Sequence, residues 1–308
     1  MKNMTSAFLA MIAFGLVGVV PVVEAQEEGS LTPSHVYQNT KRILAEINLI
    51  RKHSDITDTP RDPGRQIKKL PIHVFSKAVE LMGKIGRRQR SIGMAPMSAA
   101  LLPFEHIDPG MVNAQADRIL ADLKKLKRAA NISEKIAQQT FEPGKTPSDV
   151  YGLMWQASYA FDGIVGQISP GEVFHNARLM MLELEIITSS VGVEGSQAVQ
   201  ERSTDKTPEN VLTENFVSMY KIARIQRFLA MEPFYVPPLP GGSITPSNVY
   251  DTTVTILAEL HRCKIKLGLT ERAVNTDSAV EKTPSDVFDQ VKLFQTSLDK
   301  LLSSLDKG

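Results

Sequence analysis

The sequence predicts an all-α protein made of two tandem up-down four-helix bundles, eight long helices with heptad-like cores that arose by internal duplication. Three observations carry that expectation. First, prolines preceded by Thr, Ser, Asp or, once, Leu stand at Pro33, Pro71, Pro109, Pro147, Pro170, Pro208, Pro246 and Pro284, with successive gaps of 38, 38, 38, 23, 38, 38 and 38. Each of the first four lies 137 residues before its counterpart, so a four-part unit occurs twice. Second, the third residue after every one of these prolines is Val, and apolar or small residues recur at +7, +10, +14, +17 and +21. That spacing describes helices of about 22 residues packed side by side at shallow angles. Third, the residue two before the proline alternates between apolar (Leu31, Ile107, Ile168, Ile244) and Lys (Lys69, Lys145, Lys206, Lys282). Two alternating environments suit an up-down arrangement.

Each element follows from its own start signal. The first helix opens at Thr32-Pro33, a capping oxygen before a proline whose missing N–H is not needed in the first turn, and carries Val36, Ile43, Ile47 and Ile50 on its core stripe. The second opens behind Leu70, which offers no capping oxygen, so its start is expected to be less sharp. The third follows Asp108 and contains "ILADL" at Ile119; the same phrase appears as "ILAEI" at Ile43, "MLEL" at Met181 and "ILAEL" at Ile256, always in odd helices. The fourth begins with the string KTPSDV at Lys145, where Asp149 reaches the third helical position and completes a capping box against the positive end of the helix dipole. Helix five starts immediately after Ile168 and Ser169, with no spacer. Six and seven open at Thr207-Pro208 and Thr245-Pro246, and the eighth repeats KTPSDV at Lys282, with Asp286 in the capping place and Val287, Val291, Phe294, Leu298, Leu301 and Leu305 on its stripe.

Between the helices lie spacers of roughly 15 residues that prolines keep from being helical, "EPFYVPPLPGGS" being the clearest. The missing spacer at Ile168 marks the expected boundary between a first bundle, 26–167, and a second, 168–308. Residues 1–25 read as a secretory signal peptide: Lys2, an apolar run from about Ala7 to Val23, and small residues before a cut after Ala25. The mature chain is therefore expected to be exported, periplasmic or secreted, with no transmembrane segment. Its single cysteine, Cys263, excludes an internal disulfide and falls on a core position.

Candidate chemistry is sparse. No zinc-protease, paired-cysteine, nucleophile-elbow or phosphate-loop string occurs. The acids at +13 of the odd helices, Glu46, Asp122, Glu183 and Glu259, flank the core stripe and are expected to make charge pairs at the helix seam. His35 and His106, with Glu105 and Asp108, could meet at one bundle end, but with no matching set in the second unit no metal is expected. Aromatics at +4 (Tyr37, Phe75, Tyr151, Phe174, Tyr250, Phe288) are expected to plug the core ends; Trp155 lies off the seam, with no meaning visible in the sequence.

The net charge of +1 hides an imbalance: residues 31–167 hold 20 Lys and Arg against 13 Asp and Glu, whereas 168–308 hold 14 against 18. An up-down bundle gathers Arg51, Lys52, Arg65, Lys68, Lys69, Lys124, Lys125, Lys127, Arg128 and Lys145 at one end, a patch for an anionic partner. The expectation is thus a non-enzymatic exported helical-bundle repeat protein that binds or stabilises, toward an anionic lipid or polysaccharide surface or another envelope protein. A small-ligand-binding or sensor bundle is the alternative and an enzyme the third choice. No cofactor and no nucleic acid are expected.

Overall fold

The computed structural model describes residues 31–166, 168–193, 202–276 and 280–307; the signal segment expected at 1–25 lies outside them. These residues form eight helices and no strand: α1 (Pro33–His53), α2 (Pro71–Ser91), α3 (Pro109–Ala129), α4 (Pro147–Val165), α5 (Pro170–Ser190), α6 (Pro208–Phe228), α7 (Pro246–Lys266) and α8 (Pro284–Leu305). Every helix begins at its expected proline. Thr146, Ser169, Thr207 and Thr283 accept the third N–H of their helices, and Asp149, Glu172, Asn210 and Asp286 accept the cap residue's N–H in return. Such caps are worth about 1 kcal/mol each. α2 starts at its proline like the others although no side chain of Leu70 caps it: His73 Nδ1 accepts the Leu70 N–H at 2.8 Å, and the His73 N–H turns back to the Leu70 carbonyl. The expected stripes are the core, with Val36, Ile43, Ile47, Phe294 and Leu298 fully buried.

The helix directions differ from the up-down expectation. α1 packs on α3 and α4, and α2 on the same two, so the consecutive helices α1 and α2 sit diagonally; α5 and α6 relate to α7 and α8 in the same way. Pro33, Pro71, Pro109 and Pro147, together with Val36, Val74, Val112 and Val150, line one shallow apolar dimple, and the eight corresponding Pro and Val residues of the second set line another. All four helices of each bundle therefore start at the same end and run parallel. The loops explain why. Residues 54–70, 92–108 and 130–146 are 17-residue connections; at about 3.3 Å per residue an extended chain of that length can retrace the roughly 31 Å of a 21-residue helix. Residues 166–169 cannot, so α5 starts where α4 stops and the second bundle runs opposite to the first. The contact between the bundles, α2 against α7, has that sense: His73, early in α2, meets Glu259, late in α7, while Asn248, early in α7, meets Tyr159, late in α4.

A repeated device turns the chain back. Eighteen residues after the opening proline stand Arg51, Gln89, Lys127, Gln226 and Lys264, and each side chain bonds the backbone of the returning loop seven or eight residues on: Asp58 O, Met97 N, Glu134 O, Phe234 N and Glu271 O. At +22 the backbone enters the left-handed region (Asp55, Gly93, Asn131, Gly192, Ala230, Gly268), and the next N–H returns to the carbonyl at +18, a Schellman stop. KTPSDV is the matching device at the other end. Lys145 and Lys282 lie over the rings of Tyr37 and Phe174 on the neighbouring helix, as Lys69 and Lys206 lie over Tyr151 and Phe288. The N–H groups of Lys69, Lys145 and Lys206 donate to Ser148, Ser34 and Ser285 at the second position of the adjacent helix. Each residue of the string thus has a structural role: a lid on a neighbour, a cap, a helix start, an acceptor for a neighbour, a capping carboxylate and a core valine.

Candidate functional site

The polar residues that the two copies do not share converge where α2 and α4 meet α7. Lys77, 1% exposed, sets its Nζ 2.5 Å from Glu80 Oε2 and 2.8 Å from Asp251 Oδ1, above the Trp155 ring at 4.8 Å. The Trp155 indole N–H donates to Asp251 Oδ2 at 3.0 Å. Lys84 reaches Glu80 at 3.4 Å and Asp162 at 2.6 Å, and donates to Ser158, whose hydroxyl donates to Glu80. Next to this group, His73 accepts from Leu70 on Nδ1, so its Nε2 carries the proton and donates to Glu259; Gln226 and Arg262 complete that carboxylate at 2.6 and 2.7 Å. At the second copy's counterparts of Lys77, Glu80, Trp155 and His73 stand Glu214, Val217, Lys292 and Asn210, and the first copy's counterpart of Asp251 is Ala114. The pair Lys84–Asp162 and the set Gln226–Glu259–Arg262 recur as Lys221–Asp299 and Gln89–Asp122–Lys125, so it is Lys77, Glu80, Trp155, Asp251 and His73 that are particular to the bundle interface.

Its electrostatics are those of a closed, fully paired cluster. Burial would push Glu80 up, but Lys77 and Lys84 overcome it and hold its carboxyl at about 2. For Lys77, too, burial is overcome, by Asp251 and Glu80, and the ammonium stays charged well above its usual range. Burial wins at Asp251, which is raised, at Asp162, raised to about 6, and at His73, which is lowered and therefore neutral. Lys69, buried beneath the same interface, is brought down to about 8. Cys263 lies near Glu259 and Gln226, yet burial pushes its thiol up to about 12, the opposite of an activated nucleophile. Among the described residues no group of three or more His, Cys, Asp and Glu could hold a metal ion. His35 is spent on accepting the Thr32 N–H and lies against Phe141 with the rings tilted at 44°.

The basic patch expected from the sequence is divided by the parallel topology. Arg51, Lys52, Lys124, Lys125, Lys127 and Arg128 lie at the end where α1 and α3 finish, whereas Arg65, Lys68, Lys69 and Lys145 lie at the opposite end, beside the helix starts. Arg51 and Lys127 are buried loop clamps, Arg51 on Ala160 O at 2.8 Å and Lys127 on Glu46 at 2.7 Å. What remains is an open groove between α1 and α3, edged by the loop through Lys135 and lined by Arg42, Lys124, Lys125 and Arg128. Its acids are largely engaged: Glu46 with Lys127, Glu134 with Lys52 and His53. Two of the seam acids make the expected charge pairs between helices, Glu46 with Lys127 and Glu183 with Lys264, whereas Asp122 and Glu259 accept from the neutral Gln89 and Gln226 across the seam and pair with Lys125 and Arg262 of their own helices. The sequence reading missed Trp155 and His73 as interface residues; the signal available was that both differ from their counterparts 137 residues on.

These features define a duplicated all-α bundle protein whose built chemistry holds two bundles together. Comparison with protein-family models, curated proteins and solved structures finds no significant match. No described helix is long and apolar enough to cross a membrane.

Proposed function

We propose that the protein is an exported, non-catalytic binding or structural module whose first bundle engages an anionic partner through the α1–α3 groove. The observation that carries this reading is the groove itself: Lys124, Arg128 and Lys135 are exposed and have no ion-pair partner among the described residues, while of the lining acids Glu46 and Glu134 are paired with cations and Asp117 is held by the Asn39 and Asn113 amides. Several cations with engaged counter-charges raise the local concentration of a polyanion and bind it in a salt-sensitive way. The buried network supports the non-catalytic half of the reading, because Lys77, Glu80, Lys84 and Asp251 are paired and buried.

The test is co-sedimentation with anionic phospholipid vesicles and retention on heparin. Lys124→Glu, Lys125→Glu and Arg128→Glu together, with buried Lys127 left in place, should abolish low-salt binding and leave helicity unchanged. A wild-type protein that binds neither anion at low salt contradicts the proposal.

A further inference from the structure

The contact between the bundles is heterologous: the outer face of the second helix in the first copy (α2) lies on the outer face of the third helix in the second copy (α7). Duplication supplies each bundle with both faces, so one of each is left over. The spare second-helix face is on α6 and the spare third-helix face on α3. We infer that these two faces dock on each other between chains, so that the partner of the basic first bundle is the acidic second bundle of another copy.

The chemistry of the spare faces fits. On α6, Val217 and Tyr220 are 39% and 60% exposed, and Leu239 of the following loop is 53% exposed. Val217 stands where α2 has Glu80, and Leu239 where the first copy has Leu102, whose carbonyl takes a hydrogen bond from Arg272 across the bundle interface. On α3 the exposed Ala114 replaces Asp251. Where the internal contact sets Lys77, backed by Glu80, against Asp251, the external one sets Glu214 and Val217 against Ala114, so the buried cation and the carboxylate it pairs with are absent from the two spare faces together. The rim is basic, for Lys124, Lys125 and Lys135 occupy the places of His261, Arg262 and Arg272. They face a second bundle with 14 basic against 18 acidic residues. Heterologous contacts of this kind close into rings or grow into filaments.

The inference rests on the binding-module reading above and names its partner. The test is sedimentation velocity of the full chain at low salt, from micromolar to a few hundred micromolar. Wild type should sediment faster as concentration rises and lose that dependence at high salt. Tyr220→Asp with Val217→Asp, or Ala114→Asp with Lys125→Glu, should each leave a 34.0 kDa monomer. Mixing the two variants should give a species of twice that mass and no larger, since each retains one intact face. All four positions are exposed, and unchanged helicity checks that the variants fold. A wild type that stays monomeric throughout, or variants that associate as wild type does, overturns the inference. If such a monomer still binds anionic vesicles, the proposed function survives; if it binds none, both fall.

Discussion

Replacing Lys77 by Met removes the cation at the centre of the bundle interface while keeping its length. Lys77 lies between Glu80 at 2.5 Å and Asp251 at 2.8 Å, with almost no solvent access. Glu80 would keep Lys84 at 3.4 Å and the Ser158 hydroxyl at 2.6 Å, and would stay ionised. Asp251 would keep the neutral donors Trp155 N–H and the Tyr159 hydroxyl but no contacting cation, and as burial already raises its pKa it would take up a proton. Breaking a buried pair from one side costs about 3–5 kcal/mol, and neutralisation of Asp251 places the variant near the lower limit, about 3 kcal/mol. That is a large share of the ~5–15 kcal/mol that holds a typical domain. Urea unfolding of the full chain followed by far-ultraviolet circular dichroism measures it. Lys77→Met with Asp251→Leu should recover most of the loss, because the apolar pair leaves no orphaned charge. Lys221→Met, which breaks a surface pair with Asp299, should cost less than about 1 kcal/mol. If Lys77→Met lies within about 1 kcal/mol of wild type, the buried network does not hold the bundles together.

Arg51→Ala should cost about 2 kcal/mol, the scale of a charged hydrogen bond lost from a buried carbonyl, and should expose the 54–70 loop to proteases before the helices melt. His73 is held neutral by burial, so the unfolded chain binds its proton first: the stability that this histidine contributes is complete above about pH 6.5 and falls by up to about 1.4 kcal/mol per unit as the pH drops below it. Asp162, raised to about 6, works in the opposite sense, its protonation favouring the folded state as the pH falls through 6. His73→Asn, which keeps a capping acceptor as Asn210 does, should remove the histidine's share, so that the gap between variant and wild type is constant above pH 6.5 and narrows below it in denaturant titrations. A gap that widens below pH 6.5 contradicts the assignment.

The helix starts, the core stripes and the seam acids were legible because each is local: a cap, a proline and a 4–3 apolar spacing act within one helix. Helix direction was not, because the alternation of Lys and apolar residues before the prolines is also produced by parallel helices. There the lysines are lids on neighbouring aromatics, Lys145 on Tyr37 and Lys282 on Phe174. The cue that decides direction was the loop itself: 17 residues rich in proline are too many for an up-down turn and enough to retrace a helix. An up-down direction places the ten basic residues at one end; parallel helices divide them between two. The residues particular to the interface, Lys77, Glu80, Trp155, Asp251 and His73, are visible in sequence only by subtraction of one copy from the other, and their partners lie far apart in the chain, Lys77 with Asp251 and His73 with Glu259.

Parallel helices within a bundle are the central claim, and a single distance tests it. Arg90 and Arg128 are exposed near the ends of the neighbouring helices α2 and α3, and Cys263, buried with its thiol raised to about 12, does not compete for label in the folded protein. Nitroxides placed on Arg90→Cys and Arg128→Cys should give a pulsed electron paramagnetic resonance distance on the order of 10–20 Å, set by two helices packed about 8–10 Å apart. A distance of about 30 Å or more, the length of a helix, would mean that α2 and α3 run in opposite directions.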